Sequence, residues 1–600
     1  MVNDGKAAPI IHAALKRLEY RGYDSVGEAT VYDGRLLIKK DQGKIDDVHK
    51  RLDLDDLPGK MGIGHTRWAT HGAPSMVNSH PHTDCSNKIA VVHNGIIENF
   101  NDLKDELTDK GHVFVSRTDT EVIPHLIEEN MKSGLNFVES VRDSVKRLSG
   151  SYALVAIHVD EPNKIVFARN ASPLVVGISE TGLYASSDIP TLLPLTKKII
   201  EVYNGEMVIL SEKGVEIRRI EDWSPIKRES SIITWTVEMA QKQGFPHFML
   251  KEIHEQPKCL EDTLRLQQRY IDLLTTFLDR SKEIYLLACG TSYHSCLAAS
   301  YMFSNLCNLP TLPVIASEFI EQYGEAVNID STILAVSQSG ETADVLHAIE
   351  QARFKAATIL GLTNAIGSTL TRVSRAYICQ QSGPEIGVAA SKTFTSQLMV
   401  LSQIALRLAK VRGKISQEKI DYLEEKMKDI PNMVDKIILN QEKKVKGIVE
   451  KYKNTKCFYF LGRGINTATA FEGRLKLLEI SYIPSIAYPA GESKHGAISL
   501  VEKGFPVIFV CPQDGTRKAL IGNIMEMKAR GASIITIIDE NDKEIKALSD
   551  EYVDIPSDVP ELLSPIPYVV PLQLFAYYMA VEKGCNPDMP RNLAKSVTVL

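Results

Sequence analysis

Residues 331–352 read STILAVSQSGETADVLHAIEQA, an apolar run that ends in Ser337-Gln338-Ser339-Gly340-Glu341-Thr342 and passes into a helical pattern. Apolar strand, small-residue turn and helix in that order make a parallel α/β unit. Residues 283–303, EIYLLACGTSYHSCLAASYMF, have the same texture, and both stretches recur further along the chain. In KCFYFLGRGINTATAFEGRLKLLEI (456–480), Gly462 stands 173 positions after Cys289; in FPVIFVCPQDGTRKALIGNIMEM (505–527), Cys511 stands 174 after Ser337. Two agreeing offsets indicate a duplicated α/β domain.

The turns at 337–342 and at Ala288-Cys289-Gly290-Thr291-Ser292 bring hydroxyls and backbone amides to the amino ends of helices, which suits a phosphate. Helix capping by the same Ser and Thr residues is the plain alternative. The second copy has Cys511-Pro512-Gln513-Asp514-Gly515-Thr516 at the equivalent place, where Asp514 repels an anion and Pro512 lacks an amide donor. One phosphate site per chain, in the first copy, is expected. On FEGRLKLLEI, Glu472, Lys476 and Glu479 fall at i, i+4 and i+7, on one face; a salt-bridge ladder or a tuned general base both fit. Gly491-Glu492-Ser493-Lys494-His495-Gly496 offers a histidine between flexible points.

Outward from these units the texture changes. From Arg21 to about Glu216 short β-rich runs such as IAVVHNG and SYALVAIHV mix with a few helices, an α+β pattern. Asn94-Gly95 between apolar runs predicts a type I′ hairpin, a turn that also presents amides as an oxyanion hole. His65, His71, His80, His82 and His93 lack accompanying carboxylate or thiolate spacing, so no metal is expected. Trp223, Pro225, Trp235, Pro246 and Pro257 mark a linker that packs against something, and the Lys- and Glu-rich stretch from about 411 to 450 reads as a solvated helix.

With 600 residues, 44% hydrophobic and 24% charged, the chain has the length of about three or four globular domains. A balance of 69 Lys and Arg against 75 Asp and Glu offers no footprint for nucleic acid. No apolar run approaches the roughly 18 residues of a membrane span, and the first thirty residues have no signal-peptide core. Nine cysteines without a C-x-x-C pair argue against a disulfide framework and for a reducing, cytoplasmic setting.

Taken together, LEYRGYDS, HTRWATHG, HPH, VVHNGIIENF and RTDTEVI resemble the class II glutamine amidotransferase domain, and CGTS, SQSGET, EISYI, AGESKHG and PRNLAKSVTV the paired sugar isomerase domains, of the isomerizing glutamine:fructose-6-phosphate aminotransferase family. The resemblance runs from about Leu18 to the carboxyl terminus. It implies an α+β amino-terminal nucleophile-type domain followed by two α/β parallel-sheet domains. The expected divisions are 1–216 amidotransferase, 217–274 linker, 275–415 first isomerase domain, 416–448 helical connector, 449–590 second isomerase domain and 591–600 catalytic tail.

It further implies that glutamine and fructose 6-phosphate yield glutamate and glucosamine 6-phosphate, opening hexosamine synthesis without a cofactor. Arg67, Thr70, His71 and Asp119 would hold glutamine, Asn94 and Gly95 the oxyanion, and Trp68 would gate an ammonia channel. Ser292, Ser337, Gln338, Ser339, Thr342 and Val388 would hold the sugar phosphate. Lys595 would form a Schiff base, Glu479 would move the proton between C2 and C1, and His495 from the partner of a homodimer would assist ring opening, with Glu472, Lys476 and Arg591 in support. The sequence departs from the family twice. Ala390 lacks a hydroxyl expected to touch the sugar. The family's nucleophilic cysteine, exposed by removal of the initiator methionine, is not among these residues, since no Cys, Ser or Thr precedes Ser25. A native start further upstream is the expectation; an ammonia-dependent synthase or simple isomerase is the alternative, and a sugar-phosphate sensor without chemistry a more distant one. A missing first strand would leave sheet edge unpaired.

Overall fold

The computed structural model describes residues 1–19, 22–67, 72–233 and 241–597. The chain divides into two units, the first formed by Met1–Ala240 together with the residues from Ser596 onward, the second spanning Gln241–Lys595.

In the first unit an eight-stranded and a seven-stranded sheet, both antiparallel in their pairings, face each other. Ala29, Val31, Met61 and Ile63 of one sheet meet Val92, Ile157 and Phe167 of the other. The helices Ala7–Leu18 and Ile45–Leu52 cover the outer face of the first sheet through Ile11, Leu15 and Val48, packed against Val26. The helices Phe100–Asp109, Val122–Lys132 and Phe137–Lys146 cover the other sheet. Because both faces of each sheet are buried, strands such as Ile89–Ile97 begin as continuous apolar runs rather than alternating ones. The first strand, Val2–Asn3, pairs through Val2 with both Leu183 and Met61.

Asn94-Gly95 forms no hairpin. Both residues lie inside the strand Ile89–Ile97, opposite Ala153 and Tyr152 of Gly150–His158. Glycine is needed because the partner strand approaches closely: at φ +124° a Cβ on Gly95 would stand 2.0 Å from the Ser151 carbonyl oxygen.

The second unit contains two five-stranded parallel sheets of identical order. The first runs Leu312–Ile315, Glu283–Ala288, Ser331–Ser337, Thr358–Thr363, Ala376–Cys379; the second runs Ser485–Pro489, Phe458–Gly462, Pro506–Cys511, Ser533–Asp539, Glu551–Ile555. This is the duplication read from the two offsets. In each sheet the order reverses between the two strands whose carboxyl ends carry the paired turns, and open α/β sheets bind ligands in that crevice. One apolar core runs through both copies, from Leu286 to Ala580.

The connector is a single helix, Gln417–Tyr452, and is not merely solvated. Its Lys and Glu residues form one face, while Leu423, Ile430, Val434, Ile438, Val445 and Val449 form a buried stripe at helical spacing. Of the described helices, one, Glu561–Glu582, is long and apolar enough to cross a membrane, and 89% of its apolar window is buried within the protein.

Candidate active site

The first copy places its two small-residue turns side by side at the switch point. Ser337 ends its strand, and its Oγ accepts the Gly340 amide at 3.1 Å and lies 2.9 Å from Thr342 Oγ1. Ser339 Oγ accepts the Glu341 amide. Thr342 is the N-cap of the helix Ala343–Phe354 yet makes no side-chain cap bond, and neither does Cys289 at the start of Gly290–Cys307. Capping therefore does not explain these residues. Gly340 is required: at φ +63° a Cβ would stand 2.1 Å from Ser368 Oγ. The carboxylate of Glu341 is taken up by Thr369, accepting its amide at 2.8 Å and its hydroxyl at 2.7 Å. Ser292 Oγ accepts from Gln397 Nε2 at 3.0 Å. In the second copy Asp514 accepts the amide and hydroxyl of Thr516, both at 2.7 Å, so a built-in carboxylate occupies that loop.

The first copy's turn is bonded to the second copy's helix Asn466–Ser481. Thr291 Oγ1 donates to Glu472 Oε1 at 3.1 Å and lies 3.1 Å from Lys476 Nζ. Lys476 pairs with Glu479 and stands 3.3 Å from Glu472, whose other oxygen is 2.7 Å from Nδ1 of His294. Glu472 and Lys476 are fully buried. Burial pushes the Glu472 carboxyl up, but Lys476 and His294 outweigh it and hold it below its ordinary range. For Glu479 burial prevails, and its carboxyl lies above the ordinary value. Two carboxyls on one helix are thus driven apart, one kept ionised and one poised to exchange a proton.

Lys595 Nζ donates to Glu385 Oε2 at 2.5 Å and to the Gly387 carbonyl at 2.8 Å. Glu385 also accepts the amides of Ser391 and Thr393 and the Thr393 hydroxyl; Lys595 and these bonds outweigh burial and keep it below the usual carboxylate range. Glu252 accepts the amides of Ile386 and Gly387 on the same turn, and burial together with the Glu385 charge pushes it up to about 8. The Lys595 charge also acts on Glu479. Val388 donates its amide to the Asp588 carbonyl. Arg591 stacks on Tyr482 at 4.1 Å. His495 is exposed in the turn Ser493–His495.

In the first unit Arg67 is buried, donates to the Gly72 carbonyl at 3.0 Å and feels the charge of Asp119, which accepts the Ile97 amide. Asn94 Oδ1 is 2.9 Å from His65 Nε2. His65 stacks on His80, which meets His82 edge-on, and burial lowers His65 to about 4 and His82 to about 3, leaving neutral rings within a hydrogen-bonded core. Trp68, Thr70 and His71 lie outside the described residues.

A glutamine amidotransferase domain model matches residues 65–194, and an SIS domain model matches 277–407 and again 451–583. The isomerizing glutamine–fructose-6-phosphate aminotransferase of Thermococcus kodakarensis is 45% identical, covering 100% of this chain and 99% of the relative; that of Pyrococcus horikoshii is 46% identical over 99% and 98%. The chain belongs to this aminotransferase family. Among solved structures, the C-terminal domain of glucosamine-fructose-6-phosphate aminotransferase from Francisella tularensis aligns with a TM-score of 0.55 at 33% identity, covering 58% of this chain and all of that domain. Family membership accounts for the α+β amidotransferase fold and for the doubled SIS domain.

Several residues of the candidate site escaped the sequence reading, Glu385, Glu252, His294 and Gln397, and Thr291 was read only as a hydroxyl of its turn and not as a partner of Glu472. Each acts across a long separation, Lys595 to Glu385 spanning 210 positions and Thr291 to Glu472 spanning 181. GPEIGV and CGTS did carry a signal, as a Glu inside an otherwise small and apolar turn and a Thr between Gly290 and Ser292.

Proposed function

We propose that the chain converts fructose 6-phosphate and glutamine to glucosamine 6-phosphate and glutamate, with the division of labour read from its motifs. The observation that carries the assignment of the sugar site is the bond from Thr291, in the first copy's turn, to Glu472 and Lys476 of the second copy, beside Glu479 and within the field of Lys595. The sugar phosphate sits against Ser292, Ser337, Gln338, Ser339 and Thr342, at the amino end of the helix Ala343–Phe354. Lys595 gives up a proton and adds as an amine to the C2 carbonyl of the open-chain ketose, losing water to form an imine. Ammonia replaces the lysine nitrogen, and Glu479 takes a proton from C1 and returns it at C2. Glu472 and Lys476 hold Glu479 in place, with Val388 and Arg591 bordering the sugar.

Arg67, Thr70, His71 and Asp119 bind glutamine, and Asn94 and Gly95 its oxyanion. The assembly is a cytoplasmic homodimer in which the exposed His495 serves the sugar site of a second copy. The domain divisions read from the sequence, with a carboxyl-terminal catalytic tail from 591, belong to the same proposal.

Borohydride reduction in the presence of fructose 6-phosphate tests the sugar half directly. The expected result is a reduced adduct on the peptide containing Lys595, together with glucosamine 6-phosphate formation when ammonium is supplied instead of glutamine. Adduct on another lysine, or no product from ammonium, would overturn the assignment.

A further inference from the structure

The amino-terminal unit gathers a second set of reactive side chains that the glutamine site does not use. Cys85 lies in the turn after the strand His82–Thr83, His112 follows the helix Phe100–Asp109, and His125 and Glu128 stand at i and i+3 on the helix Val122–Lys132. Cys85 Sγ is 3.6 Å from His112 Nδ1 and 3.5 Å from His125 Nδ1. The two Nδ1 atoms are 3.3 Å apart, and Glu128 Oε2 is 3.2 Å from the first and 3.6 Å from the second. A tetrahedral centre with metal–nitrogen bonds of about 2.05 Å and a metal–sulfur bond of about 2.3 Å has nitrogen–nitrogen edges of roughly 3.3 Å and nitrogen–sulfur edges of roughly 3.6 Å. The sulfur and the two nitrogens reproduce those edges, and all four donor atoms lie within 4.8 Å of one another.

Protons account poorly for the same arrangement. His112 Nε2 lies 3.2 Å from Glu129 Oε2, and His125 Nε2 lies 3.7 Å from Glu121 Oε1. The Glu129 carboxylate fixes the His112 tautomer with hydrogen on Nε2 and aims its Nδ1 lone pair inward, and the Glu121 carboxylate, at ion-pair distance only, favours the same tautomer of His125. Two imidazole nitrogens and a carboxylate oxygen then converge with the thiol; Glu128 Oε2 also accepts the Cys85 amide at 3.1 Å, which leaves the single thiol hydrogen to serve both imidazoles, in a place where His112, His125 and Glu128 are buried. A divalent cation satisfies all four at once.

We propose that Cys85, His112, His125 and Glu128 form a closed structural Zn²⁺ site. One sulfur, two imidazoles and one carboxylate are a donor set suited to zinc rather than to Mg²⁺ or Ca²⁺. Binding converts the Cys85 thiol to thiolate and releases its proton to solvent, and the exposed position of Cys85 gives the ion a way in. The ion ties the turn at 84–88 to the segment after the helix Phe100–Asp109 and to the helix Val122–Lys132. That segment leads to Asp119: Glu121, beside His125, also accepts the amides of Val115 and Ser116. Zinc thereby braces the stretch that delivers Asp119 to the glutamine side.

The test uses the full chain, stripped with a chelator, dialysed and titrated with Co²⁺ alone. One Co²⁺ per chain is expected, with the strong visible absorption of a tetrahedral ion and a thiolate-to-cobalt charge-transfer band, both lost on adding Zn²⁺. Cys85→Ser is expected to remove the charge-transfer band. That variant keeps its fold because Asp84 holds the turn by accepting the amides of Ser86, Lys88 and Ile89, and it retains the other eight cysteines as internal controls. His112→Gln should lower the zinc content of the purified chain at least tenfold. No tetrahedral spectrum, or the same charge-transfer band in Cys85→Ser, would overturn the site.

Discussion

The two halves of the carboxyl-terminal unit share strand order, parallel pairing and turn position, yet they carry different side chains at the equivalent places. In the first copy the loop 337–342 is lined by hydroxyls, and its one acid, Glu341, is bonded to Thr369. In the second, Asp514 occupies the equivalent loop and is bonded to Thr516. The second copy contributes instead a helix bearing Glu472, Lys476 and Glu479, bonded back to Thr291 of the first. Duplication of a fold here yields one hydrogen-bonded cluster drawn from both copies, and under the proposed function phosphate binding falls to one copy and proton transfer to the other.

The comparison can be broken at several points. The largest effect should come from Lys595→Arg, which keeps the charge beside Glu385 but cannot form an imine; glucosamine 6-phosphate formation from ammonium should fall by at least about 10³-fold. Glu479→Gln should lower kcat by roughly 10²–10³-fold with KM for fructose 6-phosphate little changed. In the parent enzyme the base form of Glu479 is lost as pH falls, and because burial raises that carboxyl, the acid limb of the kcat profile should lie above the ordinary value of 4.5. Ser339→Asp, which gives the first loop a carboxylate like that of the second, should raise KM by about 10- to 100-fold through repulsion.

Smaller effects test the supporting groups. Between pH 4.5 and about 8 the folded chain holds a proton on Glu252 that the unfolded chain has lost, so stability should fall as pH rises through that window. Glu252→Gln keeps an oxygen for the Ile386 and Gly387 amides, and its Tm relative to the parent should climb by a few degrees toward the alkaline end. Asp514→Ser should change turnover less than about twofold, since that loop holds no substrate; a large loss would mean that the copies are not specialised as described.

The duplicated units, the contrast between the two loops and the one-faced spacing of Glu472, Lys476 and Glu479 were legible because strand–turn–helix texture and helical period are local properties. Glu385 and Glu252 were not, since what makes them important is convergence on one turn from positions far apart in sequence. Asn94-Gly95 was misread for a related reason: the glycine answers to the Ser151 carbonyl on a neighbouring strand, which no dipeptide rule contains. The connector showed its charged face plainly, while its buried stripe mattered only once the helix Pro565–Glu582 was there to receive it. The histidines crowded between 65 and 93 drew notice by proximity, whereas of Cys85, His112, His125 and Glu128 only the last two share a short spacing, and the others converge on them from a turn and a loop.

The exposed glycine at 413 ends one long helix at φ +60°, three residues before the cap of the next. Severing the chain there would give two fragments, each with a whole parallel sheet but with half of one continuous apolar core. Neither would carry both Thr291 and Glu472. Activity would be absent from either fragment and would return only on co-expression, as complementation between two pieces that behave as obligate partners.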